Sequence, residues 1–139
     1  MSVINKFMER GFVPPQVHGV LDYPLAAILI AGPLALDFDF KAATVIALVF
    51  GGGAAVLAVA TAWSTGIVKV IPPLLHGYAD TVVTTAMIVL PFAVGFQHRT
   101  PALVFYVVVG GAGLLATLAT RFPSGVPVPH RMMPASSPS

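Results

Sequence analysis

The chain has no cysteine and very little charge. Of its 139 residues, seven are Lys or Arg and five are Asp or Glu, a charged share of 9% against a usual share of about 25%. The missing cysteines exclude disulfides, thiolate nucleophiles, Cys-ligated zinc, iron–sulfur clusters and thiolate-bound haem. The missing runs of Lys and Arg leave no footprint for nucleic acid, although the net charge is +2 and the pI about 9.3. Twelve charged side chains cannot cover a water-soluble fold of this size. An ordinary cytosolic enzyme, a coiled coil and a wholly disordered chain are excluded with it.

What the sequence does contain is apolar. Hydrophobic residues make up 57%, and the mean hydropathy is +0.91. A bilayer core needs about 20 apolar residues of helix. Four segments meet that length, at about 17–36, 42–63, 74–96 and 102–120. Turn or charge chemistry separates them: Asp37, Asp39 and Lys41; then Thr65, Gly66, Lys69 and Pro72-Pro73; then Gln97, His98, Arg99 and Pro101. These features predict an integral membrane protein, all-α, with four transmembrane helices in a bundle. The first span is long and has no small-x-small site after Leu36, so it reads as a span and not as a cleaved leader. Lys6, Arg10, Lys69, Arg121 and Arg131 fall on the side of both termini, and Lys41 and Arg99 on the other. That imbalance predicts cytoplasmic termini and a place in the inner (plasma) membrane. Residues 1–13 read as a cytoplasmic segment, and the Pro- and Ser-rich residues 122–139 as a solvated cytoplasmic tail.

The sequence also carries an internal match. Pro14-Pro15-Gln16-Val17-His18-Gly19-Val20-Leu21-Asp22 aligns with Pro72-Pro73-Leu74-Leu75-His76-Gly77-Tyr78-Ala79-Asp80 at an offset of 58, and without a gap 15 of 50 positions are identical between 14–63 and 72–121. Pro33 then falls on Pro91, Phe38 on Phe96, Lys41 on Arg99, and Gly52-Gly53-Ala54 on Gly110-Gly111-Ala112. The expected units are two tandem helical hairpins, 14–71 and 72–121. Equivalent helices point the same way, about a pseudo-twofold axis along the membrane normal.

A proline late in the first helix of each unit, followed by Phe, resembles the SPW-repeat integral membrane proteins. Gly32-Pro33-Leu34 and Leu90-Pro91-Phe92 stand where that family has Ser-Pro-Trp, and Asp22-Tyr23 is similar to its acidic-aromatic pair. The resemblance covers about residues 14–121. It implies the fold and the membrane location and names no reaction.

One constellation carries chemistry. His18 and Asp22 are four residues apart, as are His76 and Asp80, so each pair stacks on one helix face about 6 Å apart along the axis. An Asp inside a span costs up to about 3 kcal/mol to insert and normally faces a partner in the bundle interior. Three readings follow. The pairs can be structural polar contacts that fix the register of a small membrane protein with an accessory role. They can form a proton- or cation-handling site, since carboxylates brought together share protons and His titrates nearby. Or they can bind a metal ion through His18, His76, Asp22 and Asp80, or a haem through the two His. Thr84 continues the stripe of His76 and Asp80, although a Thr in a helix commonly bonds its own backbone.

The remaining candidates are structural. Gly52, Gly53, Ala54, Ala58, Gly110, Gly111, Ala112 and Ala116 form small-residue ridges suited to close helix packing, and to a homo-oligomer as a second use. Pro33 and Pro91 are expected to kink or end their helices. Trp63 and Tyr106 suit interfacial or packing positions, and His98 and His130 read as solvated. No nucleophile–base set and no cofactor fingerprint appears, so an enzyme is the least supported reading.

Overall fold

In the computed structural model, which describes residues 3–123, the chain forms five helices. They are α1 (Val3–Met8), α2 (Pro15–Ala35), α3 (Lys41–Ala60), α4 (Pro73–Ala93) and α5 (Thr100–Ala119). The four long helices have 20 or 21 residues each and are long and apolar enough to cross a membrane. The result is an all-α, four-helix bundle of a small multi-pass membrane protein.

The prolines punctuate it. Each Pro-Pro pair places its first member in an extended conformation as N-cap and its second at the first helical position. There the fixed φ suits a helix and the missing N–H costs nothing. Pro33 and Pro91 lie inside the last turns of α2 and α4. Their carbonyls accept the N–H groups of Phe38 and Phe96 at 3.1 and 2.8 Å. The chain then reverses through Asp37 (φ 46) and Gly95 (φ 87). This left-handed conformation suits Gly and is tolerated by Asp. Both prolines therefore end their helices.

α2 packs along α3, and α4 along α5, giving two hairpins that meet more thinly through α2–α5 and α3–α4. At one end the core is Leu29, Phe38, Met87, Phe96, Phe105 and Tyr106 around Ala43 and Ala47. The Tyr106 hydroxyl donates to the Ala43 carbonyl at 2.6 Å. At the other end Met8, Trp63, Leu74 and Phe122 pack together. Outward positions such as Val49, Val56, Val82 and Leu115 are apolar and exposed, as lipid-facing positions must be.

Two short ladders tie the ends of α3 and α5 to the starts of the other hairpin strands. Ile71 N–H bonds the Ala60 carbonyl and Val13 N–H the Ala119 carbonyl, both at 2.9 Å. In return Ala62 N–H bonds Ile71 and Arg121 N–H bonds Val13, at 2.8 and 3.0 Å. The pairing explains why α3 stops at Ala60, short of the expected Trp63: Thr61 is already extended (φ −80, ψ 142) to meet Ile71.

The packing register of α3 and α5 differs from the gapless alignment. Phe38 and Phe96 are 58 residues apart, but Lys41 and Thr100, which open α3 and α5, are 59 apart. The second turn is one residue longer. Gly51 and Gly110, 59 residues apart, both meet the backbone of a neighbouring helix: a Cβ on Gly51 would lie 3.1 Å from the Ala26 carbonyl oxygen, and one on Gly110 3.0 Å from that of Thr84. Gly52, Gly53 and Gly111 have open space beside them, and Ala112 is exposed. Of the expected ridge, Ala58 and Gly110 are buried within the bundle. α1 gives the N-terminal segment a helical turn that the sequence reading did not anticipate. His130 and the expected solvated tail lie outside the described residues beyond Phe122 and Pro123.

Candidate metal centre

Starting α2 at Pro15 and α4 at Pro73 puts His18 and His76 in the first turn and Asp22 and Asp80 one turn deeper, about 10 Å along each helix. All four turn inward and meet between α2 and α4. One donor atom from each lies within 4.8 Å of every other. His18 Nε2 is 2.9 Å from Asp80 Oδ2 and 3.3 Å from Asp22 Oδ1. His76 Nε2 is 3.0 Å from Asp80 Oδ2 and 3.3 Å from Asp22 Oδ2. The pairs expected along each helix are thus also pairs between helices. His18, Asp22 and His76 are buried, and Asp80 is the most open, with 18% of its side chain exposed.

The imidazoles are held from behind by two threonines. Thr61, just past α3, lies 2.7 Å from His76 Nδ1, and Thr120, just past α5, lies 3.0 Å from His18 Nδ1. A hydroxyl has one proton to give. Thr61 gives it to the Leu57 carbonyl at 2.6 Å and Thr120 to the Ala116 carbonyl at 2.7 Å. Each Thr oxygen must therefore accept from the imidazole, which assigns the proton to Nδ1. Both Nε2 atoms then face the carboxylates, and His18 Nε2 donates to Asp80 Oδ2 at 2.9 Å; a bound metal ion would take the place of the Nε2 proton.

This arrangement has the form of a ligand set. Around a zinc-like ion with donors at about 2.0–2.2 Å, tetrahedral neighbours sit about 3.3 Å apart, close to the four His–Asp separations of 2.9–3.3 Å. Two neutral imidazoles and two carboxylates carry a formal charge of −2, which a divalent ion balances. His76 Nε2 and Asp22 Oδ2 are both buried, 3.3 Å apart.

Aromatic side chains close the end of the centre nearer the helix starts. Trp63 packs on His76 with ring centroids 4.3 Å apart, and Phe122 lies 5.2 Å from the His18 ring. Gly19 and Gly77 make this cover possible. A Cβ on Gly19 would come within 2.9 Å of Trp63, and one on Gly77 within 2.8 Å of Phe122.

Thr84 is buried beside the centre but donates to the Asp80 carbonyl at 2.6 Å. Its hydroxyl satisfies its own helix and supplies no donor to the four. Thr61, Thr120, Trp63 and Phe122 contact the two imidazoles, a placement that the sequence reading did not assign to them. The extended ends of α3 and α5 bring them to the site, and only the recurrence of Thr at 61 and 120 could have signalled them. No family model, curated protein or solved structure matches the chain.

Proposed function

We propose that this small multi-pass membrane protein binds one divalent transition-metal ion of the zinc class, with His18, Asp22, His76 and Asp80 as ligands. The observation that carries the reading is the convergence of two imidazole nitrogens and two carboxylates from two helices, with one ligand atom of each within 4.8 Å of every other. Thr61 and Thr120 act as positioning residues, fixing the tautomer and the ring planes as outer partners of metal-bound His commonly do. Imidazole and carboxylate together suit zinc, and also manganese, cobalt or ferrous iron.

The chain is built from two related hairpins, each supplying one His, one Asp, one Thr and one aromatic cover residue. The paired ladders and paired glycines support this duplication, and Pro33 and Pro91 at matching helix ends support a place among the SPW-repeat membrane proteins. Both termini face the cytoplasm of an inner (plasma) membrane, in keeping with the excess of Lys and Arg on that side, and the centre lies toward that side.

The test is direct. Full-length protein purified in detergent and dialysed against zinc should retain one ion per chain, and His76→Ala and Asp22→Asn should retain none. If the wild type holds no stoichiometric zinc, manganese, cobalt or ferrous iron, the proposal fails.

A further inference from the structure

Beside the centre, a groove of about 350 Å³ runs between α2 and α5, a volume within the range of small-molecule sites. Its walls are apolar, with Leu21, Leu25 and Ile28 on one side and Ala112, Gly113 and Ala116 on the other. His18, Asp22 and Asp80 also line it, as do Thr84 and Thr117. Leu21 and Ile28 are about half exposed on the outer surface of a spanning helix, so the mouth opens sideways among acyl chains. Small residues on α5 create the space. At the related position of α3, 59 residues before Ala116, stands the bulkier Leu57.

We infer that this groove takes a hydroxyl-headed amphiphile from the bilayer, a long-chain alcohol or lipid phenol, with its oxygen against Asp80. The chemistry of these residues selects the head group. Asp80 lines the groove and is the most open of the four; both of its imidazole contacts fall on Oδ2, and a carboxylate has acceptor sites for further donors. A donor head is therefore favoured. The four side chains are formally neutral with a divalent ion or with both imidazoles protonated, so the head need carry no charge. An anionic head would instead meet a carboxylate in a low-dielectric setting, where like charges are strongly disfavoured. The apolar walls take the chain. The inference rests on Asp80 and the groove, and it stands with or without the metal.

The experiment uses the full chain in nanodiscs and a long-chain alcohol bearing a diazirine, beside the matching carboxylic acid and methyl ether. The alcohol should crosslink to α2 and α5 at the groove and be displaced by unlabelled alcohol. Filling the groove with Ala116→Leu should lower labelling about tenfold while zinc stoichiometry stays at the wild-type level, which also reports that the variant folds. Ala112→Leu is the second filling variant. Asp80→Asn should lower labelling by a similar factor, the loss expected for one charge-assisted hydrogen bond. Equal labelling of wild type and both filled variants, or equal labelling by the acid or the ether, overturns the inference. Alcohol capture without zinc binding would leave it standing and remove the metal reading. Zinc binding without capture would do the reverse.

Discussion

The Thr61 hydroxyl sits 2.7 Å from His76 Nδ1 and 2.6 Å from the Leu57 carbonyl, so one helix end fixes the proton of an imidazole on another helix. Thr120 does the same for His18 at the far end of the chain. In the proposed metal centre, the rings are thereby oriented by residues that are not themselves ligands.

Removing that support should weaken metal binding without removing it. Thr61→Val and Thr120→Val keep the side-chain volume and lose the acceptor. Each is expected to lower zinc affinity about 10–100-fold, as outer-partner changes do, in competition with a chromophoric chelator. Thr61→Ser should stay near the wild type. An unchanged affinity in both Val variants would show that the threonines do not orient the rings.

Binding of an ion only to the folded state adds stability that vanishes on chelation. Wild-type protein in detergent should therefore melt at a lower temperature in chelator than in zinc, while His76→Ala should melt alike in both. Equal shifts in the two proteins would locate the ion elsewhere.

The aromatic cover depends on Gly19 and Gly77. In Gly77→Ala the new Cβ would lie 2.7 Å from Met8 Cε and 2.8 Å from Phe122, and overpacking of this kind costs about 1–3 kcal/mol. The expected result is a lower melting temperature. Gly52→Ala, in open space, should instead match or slightly exceed the wild type, since Ala is the better helix former.

Orientation can be read cleanly because the chain has no cysteine. Single cysteines replacing Ser64 and His98, both exposed and at opposite ends of the bundle, should react with a membrane-impermeant maleimide from opposite sides. Ser64→Cys is expected to be protected in intact cells and labelled in inverted vesicles. The opposite pattern would reverse the proposed topology.

The exposed pair of Arg99 and Asp39, 2.6 Å apart, should matter little. Exposed ion pairs contribute about 0–1 kcal/mol, so Arg99→Ala should leave the melting temperature nearly unchanged.

Much of this was legible in the sequence. Hydropathy and punctuation placed four spans within about three residues of their observed ends. The four-residue spacing of His18 with Asp22 and His76 with Asp80 marked the side chains that meet. The register of α3 and α5 was not legible. In apolar helices full of Gly and Ala, a gapless alignment finds matches by composition, and one extra residue in the turn before Thr100 is invisible to it. That slip paired Thr120 with Ala62, although Thr120 and Thr61 hold the same relation to their imidazoles. The cover by Trp63 and Phe122 escaped for a related reason: it depends on backbone ladders beyond the helix ends, which leave no periodic signal.

The two hairpins share an aromatic core at one end and the four inward side chains toward the other, and each holds half of those four. In the first hairpin alone, His18 and Asp22 lack the partners that α4 supplies. The polar centre therefore exists only when both hairpins are in place, and either half alone would leave a carboxylate inside a span without its cross-helix imidazole, an arrangement that the bilayer disfavours.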